Sequence, residues 1–358
     1  MAVSAISSVN SKLEISTIRI WWTKITHWEF WPFSVFYFPI YFYYLWLSLR
    51  ARALFFFSAS NPGIDYGGML GESKMKIFNK IPTRHKPKTV LIDPGIGLND
   101  FLIELQKLGI GYPFILKPDI GERGWLVNKI ANEKQLVTYL EKVHVPFLLQ
   151  EFINMEIELG VFYYRMPNED NGHVTSVVVK EMMKVVGDGK SSVLELLKVN
   201  VRSVITLDEI EKTSGHMFDD VPSLDEEVEV VPIGNHCRGT TFLNGNHLIT
   251  NNMVQAIDSV AKEYPGFHYG RFDLRCKSIE ELERGNFTIL ELNGCGAEPA
   301  HIYHPGYPLI KAYTELARHL KIMFQVARQN HANGTPYMTI SEAIKLIRFL
   351  RHYNRNGN

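Results

Sequence analysis

The sequence predicts an α+β fold, and three observations predict it. At 358 residues, 46% of them hydrophobic, the chain is long enough for about two domains with a buried core. From Ser73 onward strand-like and helix-like segments alternate irregularly and include hairpins, which is α+β order rather than a doubly wound parallel sheet. Neither GxGxxG nor GxxxxGK[ST] occurs, so neither a dinucleotide fold nor a P-loop enzyme is indicated.

The first element is Phe30–Leu49, FWPFSVFYFPIYFYYLWLSL, 20 residues without a formal charge between Glu29 and the pair Arg50 and Arg52. Its length suits a membrane span, but Pro32 and Pro39 interrupt it, and its Trp and Tyr suit the interface better than the hydrocarbon. It starts too late for a signal peptide and lacks a small-residue cleavage site. Two readings stay open: a shallow contact with an anionic membrane, or an aromatic subdomain packed on the protein or on a second copy of it. A homodimer is therefore a candidate assembly.

Asn61–Gly71 reads as a loop rich in turn formers. Then come a helix at Lys74–Lys80, a break at Pro82, a strand at Thr89–Ile92 and a helix at Leu98–Leu108. The strand Phe114–Lys117 ends in the glycine-bearing turn PDIGERG, which runs into another β segment. A helix follows over Glu133–His144, then a strand over Phe147–Gln150, a hairpin around Asn168–His173 and two more strands before Val186. Helices are expected at Val193–Val199 and Asn251–Tyr264, and the strands HYGRFDLRC and FTILELNG pair through a polar turn near Glu283–Asn286. In SEAIKLIRFLRHYNR, Ala343, Ile344, Ile347 and Leu350 recur at helical spacing beside Lys345, Arg348, Arg351 and Arg355. That helix either docks on its own core or lies on a membrane surface.

Lys and Arg number 38, as do Asp and Glu, so the formal charge is 0, which argues against a generally basic nucleic-acid binder. Zero is an average: residues 1–60 and 336–358 each carry +3, and the middle carries −6. Three cysteines without a CxxC pair exclude a disulfide framework and a thiolate zinc site, and fit a reducing cytoplasm. The boundaries expected are 1–60 for the aromatic segment, 61–330 for the main domain, with subdomains near 111–186 and 187–330, and 331–358 for the basic helix.

Chemistry concentrates in three places. RFDLR sets Arg271 and Asp273 on one strand face, and ELN does the same for Glu291 and Asn293. If the strands pair, two carboxylates, an arginine and an amide oxygen converge, a hard-oxygen set suited to magnesium. Lys117 at a strand end, followed by Gly121 and Gly124, is an arrangement phosphates require, although an ordinary turn has the same composition. LLQEFINMEIELGVF leads an apolar strand to Gln150 and Glu151, with Glu158 seven residues on, either a nucleotide-binding linker or a solvated strand edge.

The order of these pieces over residues 70–325 resembles the ATP-grasp superfamily, closest to D-alanine–D-alanine ligase relatives. The resemblance implies two α+β subdomains sandwiching ATP, here with an atypical aromatic N-terminal segment in place of the usual Rossmann-like domain. KPDIGERG resembles the phosphate-binding lysine and glycine loop. QEFI (Gln150, Glu151, Phe152, Ile153) resembles the adenine-contacting linker, with Glu158 as the ribose acid. GESKMKIFNKIP resembles the segment supplying a second nucleotide lysine, Lys74, with Lys76 or Lys80 as alternatives. KVVGDGKSSVLELL resembles a stretch near the triphosphate in amino-acid-ligating members. The resemblance thus implies that Lys74 and Lys117 hold phosphates, that Asp273, Glu291 and Asn293 hold Mg2+ or Mn2+, and that Arg271 faces the developing oxyanion. Lys180, Lys190, Arg238, Gly296 and Glu298 are further candidates for triphosphate or substrate contact. The implied activity is ligation of a small carboxylate to an amine through an acylphosphate, one substrate being lipid-linked if the membrane reading holds. A superfamily phosphotransferase and a membrane-associated nucleotide binder without turnover are the alternatives. The expected location is the cytoplasm, at the inner face of the membrane if the aromatic segment binds lipid.

Overall fold

Short apolar runs closed by Gly, Pro or Asn become strands, and runs with apolar residues three and four apart become helices. The computed structural model describes residues 17–122, 124–231, 234 and 239–356. Its first elements are α1 (Thr17–Thr26), α2 (Phe33–Ala51), α3 (Lys74–Lys80), β1 (Thr89–Ile92), α4 (Leu98–Leu108), β2 (Phe114–Pro118), β3 (Asn128–Ile130), α5 (Glu133–Lys142) and β4 (Phe147–Glu151). Next come β5 (Ile157–Tyr164), β6 (His173–Glu181), β7 (Lys184–Val186), α6 (Val193–Leu197), α7 (Val201–Ile205), α8 (Leu207–Ser214) and β8 (Glu227–Glu229). The last are β9 (Thr241–Asn244), α9 (Asn251–Glu263), β10 (Tyr269–Cys276), α10 (Ile279–Glu283), β11 (Phe287–Asn293), α11 (Leu309–Ala332) and α12 (Ile340–Asn356). The α+β class expected from the sequence is the class observed.

Two compact units divide the chain. The larger holds two antiparallel sheets, one of order β1-β4-β2-β3 and one of order β11-β10-β5-β6-β9. The four-stranded sheet is covered by α4 and α5, with Phe101, Leu105, Leu136 and Tyr139 packed on Phe114, Leu116, Phe147 and Leu149. The five-stranded sheet sets Phe272, Leu274 and Cys276 against Met253, Ile257 and Val260 of α9. A third cluster joins α2 and the turn after it to α11 through Leu47, Phe56, Phe57, Met323, Phe324 and Val326. The smaller unit comprises described residues 17–32, 182–231 and 239–240. Its own core is Met183, Val185, Val193, Leu197, Ile210, Phe218, Val230 and Val231, and β7 pairs antiparallel with β8.

Three details differ from the sequence reading. The turn between the last two strands contains α10, five residues started by Ser278, whose hydroxyl accepts the Glu281 N–H at 3.2 Å. The aromatic segment is a helix, Phe33–Ala51, with Pro39 inside it, and Phe36, Tyr37, Ile40 and Leu47 are buried. In α12 the docked face is Ala343, Leu346, Leu350 and Tyr353, whereas Ile344 and Ile347 are exposed. The apolar residues of α12 thus fall on two faces, and the structure uses the one at 343, 346, 350 and 353. Among the described residues, no helix is long and apolar enough to cross a membrane.

Candidate active site

The pairing of β10 with β11 sets Arg271 opposite Asn293 and Asp273 opposite Glu291, so the convergence expected from RFD and ELN is present in the ladder. On the other side of β10, Asp273 lies opposite Gly160 and Arg275 opposite Glu158. One sheet face therefore carries Asn293, Glu291, Arg271, Asp273, Arg275 and Glu158, joined by Lys180 from β6. Gly160 makes the crowding tolerable: a Cβ there would stand 2.7 Å from Val178 Cγ1 and 3.1 Å from Asp273 Oδ1. A glycine is the residue this position accepts.

The face is a charge network. Arg271 donates to Asp273 through Nε at 2.7 Å and Nη2 at 3.0 Å. The Lys180 ammonium lies 3.3 Å from Asp273 Oδ2 and donates to Glu158 at 3.1 Å. Arg275 donates to Glu158 Oε2 at 2.8 Å and to the Ile153 carbonyl at 2.8 Å. Burial alone disfavours the Lys180 ammonium, but Asp273 and Glu158 outweigh it and raise its pKa. Burial likewise opposes the Asp273 carboxylate, and Arg271 with Lys180 more than offset it, holding its pKa below the ordinary value.

Lys117 arrives from the other sheet. The β10–β11 register shifts after Asp273, and Leu290 lies in the resulting irregularity. The Leu290 carbonyl accepts the Lys117 ammonium at 3.0 Å. Lys117 is buried, and burial pushes its pKa down to about 8, with Lys74 adding to the depression while Glu291 and Asp273 oppose it. Lys74 donates to the Gly121 carbonyl at 2.6 Å. Asp119 ties this corner together: its carboxylate accepts Ser73 Oγ at 2.9 Å and Met75 N at 2.8 Å. Lys74 thus reaches the glycine turn, in which Gly121 and Gly124 both have positive φ, while Lys117 is held at the β11 irregularity.

The linker is held by its flanks. The Gln150 side chain turns into the sheet and donates to Thr89 at 3.1 Å, and Glu151 N donates to the Lys88 carbonyl at 2.9 Å. Backbone free of the ladder starts at Phe152, whose ring lies 4.3 Å from Lys129 Nζ. Glu158 is buried between Lys180 and Arg275, so a ribose would reach it only by displacing one of them.

At the far end Arg271 Nη1 donates to the Glu298 carbonyl at 3.2 Å, and Tyr303 donates to Glu298 Oε2 at 2.7 Å. Tyr37 of α2 lies beside this carboxylate, and burial, then Glu298 and Tyr303, push its phenol far up. Gly296 packs on the turn before α3, where a Cβ would meet the Met69 carbonyl at 2.6 Å. Cys295 is buried against the same turn, its thiol pushed up by burial, as a packing residue has it. Lys190 belongs to the smaller unit, where its N–H donates to Asp188 at 2.9 Å. Arg238 lies outside the described residues.

The donor set suits a hard divalent cation. Asp273 and Glu291 supply carboxylates, and Asn293 gives an N–H to Asp273 at 3.3 Å while keeping its amide oxygen. Glu72, which the sequence did not single out, has a buried Oε2 without a hydrogen-bond partner, and burial raises its pKa, with Glu122 and Glu291 adding to the rise and Lys74 opposing it. Among the described residues no three His, Cys, Asp or Glu gather tightly enough to hold an ion by themselves. Phosphate oxygens and water would complete the shell, as magnesium favours.

Arg275, Asp119, Gly160, Glu72 and Tyr37 are the residues that sequence reasoning missed. Arg275 was legible, because it continues the period-two face of Arg271 and Asp273. The others depend on contacts between distant segments.

No protein-family profile matches the chain, and no curated protein does. Among solved structures it is similar to the VanG D-Ala:D-Ser ligase from Enterococcus faecalis, at 15% identity and TM-score 0.42, over 72% of this chain and 62% of that one. It is also similar to a D-alanine–D-alanine ligase from Bacillus anthracis, at 12% identity and TM-score 0.42, over 73% and 69%. A bifunctional glutathione synthetase from Pasteurella multocida is matched at 17% identity and TM-score 0.35, over 70% of this chain and 35% of that one.

Proposed function

We propose that the protein is an ATP-grasp carboxylate–amine ligase. The observation that carries this reading is the meeting of Lys117, held by the Leu290 carbonyl, with the Asp273–Glu291 pair across β10 and β11. Buried lysines facing paired carboxylates are what a metal–triphosphate site needs and what an ordinary sheet face avoids.

In this reading a substrate carboxylate attacks the γ-phosphorus, the bond to the departing ADP oxygen breaks, and an acylphosphate forms. An amine then attacks the acyl carbon, the carbon–oxygen bond to phosphate breaks, and phosphate leaves as the amine nitrogen sheds a proton to solvent. Lys74 and Lys117 neutralise phosphate oxygens, and Arg271 stands ready for the tetrahedral oxyanion once a nucleotide draws it from Asp273. A magnesium or manganese ion held by Asp273, Glu291 and Asn293 would supply charge neutralisation at the phosphates. The Phe152 backbone and the Ile153 N–H are offered to an adenine edge, the Ile153 carbonyl being held by Arg275, and Lys180 exchanges its carboxylate partners for phosphate. Gly296 and Glu298 border the substrate end. Tyr37 there belongs to α2, whose outer face is apolar, and this supports a substrate carrying a long apolar chain and a peripheral placement on the inner face of a membrane.

Purified protein given ATP, magnesium and mixtures of carboxylates and amines is expected to release ADP and phosphate in equal amounts. Glu291→Gln is expected to lower this release at least 100-fold with the fold intact. ATP binding without ADP release in any mixture counts against the proposal, and a phosphate ester formed without free phosphate assigns phosphotransfer instead.

A further inference from the structure

Helix α2 is apolar on every side, a pattern that in water belongs to a buried helix. Only half of it is buried: Phe36, Tyr37, Ile40 and Leu47 face the body of the protein. The other half exposes Val35, Phe38, Phe42, Leu45 and Leu49 at alternating spacings of three and four, with Tyr41 and Trp46 beside them. Phe38 is 60% exposed, Phe42 61% and Leu49 77%. From Phe30 to Leu49 there is no charge, and at the end of the stripe come the exposed Arg50 and Arg52. Arg50 lies over the Trp46 ring at 4.8 Å.

We propose that this outer face of α2 is a docking surface for an anionic lipid bilayer, on which the helix lies in the plane of the interface. Three features select lipid over a second copy of the chain. A helix–helix seam of this spacing carries charges beside the stripe to set partner and register, and here the flanking positions hold Ser34, Pro39, Tyr41 and Trp46. Aromatic rings with polar tips, above all Trp and Tyr, are the side chains that favour the headgroup boundary. The arginines follow the apolar stripe, where headgroup phosphates would meet them, and no acid lies among the exposed residues of α2 to repel that surface. The helix is too short in uninterrupted apolar text to span, so it seats the protein rather than threading it. Its inner face brings Tyr37 to Glu298, so docking would hold the substrate end of the site about one helix diameter, ~10 Å, from the lipid. The inference gives a surface to the membrane placement proposed above, and it stands or falls separately from the ligase chemistry, because its test needs no substrate.

The test is co-sedimentation of the full chain with phosphatidylcholine vesicles containing 30% phosphatidylglycerol. Wild type is expected to sediment, and less so as salt rises or on pure phosphatidylcholine. Phe42→Glu and Leu45→Glu, on the exposed face, are expected to weaken binding at least tenfold while circular dichroism and the melting midpoint stay as in wild type. Wild type remaining in the supernatant overturns the proposal, as does undiminished binding of both variants. Ultracentrifugation showing a dimer that Phe42→Glu converts to monomer also overturns it, by assigning the face to a second copy. If the variants fail to fold, brominated lipid provides the second measurement: it is expected to quench fluorescence in wild type that is missing in Trp46→Phe, and equal quenching in the two overturns the proposal.

Discussion

Lys117 shows at the scale of one residue how a site can work against stability. Its ordinary pKa is lowered to about 8 by burial, so the fold disfavours the ammonium. The sign follows: the penalty is fully present below about pH 8, fades as pH rises, and is gone above the unfolded lysine value of about 10.4. A shift of this size corresponds to about 3 kcal/mol, and Lys117→Met would give back about 1 kcal/mol of that by leaving the Leu290 carbonyl unpaired. Lys117→Met is therefore expected to melt a few degrees higher than wild type at pH 7, with the gain shrinking toward pH 10.5, and to lose at least 100-fold in ATP turnover. Calorimetry at the two pH values checks the first part, and a variant that melts lower at pH 7 would sink the account of a buried phosphate ligand. Glu158 is the opposite case. Lys180 and Arg275 satisfy it, so a residue legible as a carboxylate on a strand has partners that only the sheet could supply.

At the scale of elements, the turn before α3 decides how the strands of the site are held. Asn61 makes four hydrogen bonds from one buried side chain: its amide N–H groups go to the Gly67 and Tyr269 carbonyls, and its oxygen accepts from His268 and Tyr269 N–H. The turn then passes its own carbonyls to the end of β11, Gly67 to Cys295 N at 2.9 Å and Gly68 to Gly296 N at 2.8 Å. Asn61→Ala leaves those buried groups unpaired and is expected to cost about 3 kcal/mol, with nucleotide affinity reduced because residues 294–298 lose their support. A melting curve and a nucleotide titration on the same preparation measure both, and an unchanged melting midpoint would refute the assignment. The loop was legible from its glycines, but Asn61 was not, because three of its four hydrogen bonds go to His268 and Tyr269, about two hundred residues away. Helix α12 teaches the same at larger size: two apolar faces were available, and Trp125 and the turn at Gly71 select the one bearing Leu350 and Tyr353.

At the scale of the whole molecule, each unit has its own core, so thermal unfolding is expected to show two transitions. Ile210 is wholly buried in the smaller unit, and Ile210→Ala is expected to lower one transition by about 2–5 kcal/mol of stability and leave the other in place. ATP with magnesium is expected to raise the larger unit's transition through Lys74 and Lys117, a gain that Lys74→Ala reduces. A single transition in calorimetry, or a nucleotide shift indifferent to Lys74, would refute the respective half. The class, most elements and the pairs Arg271 with Asp273 and Glu291 with Asn293 were legible in the residues alone, because strand period and turn chemistry act within a few residues. The sequence also revealed an uncharged aromatic run, but not that one half of α2 would be buried and the other exposed. The tertiary structure decided that, as it decided which unit residues 17–32 join and which partners Lys117, Lys180 and Glu158 take. These outcomes depend on contacts between segments far apart in the chain, whose cost and gain no local pattern records.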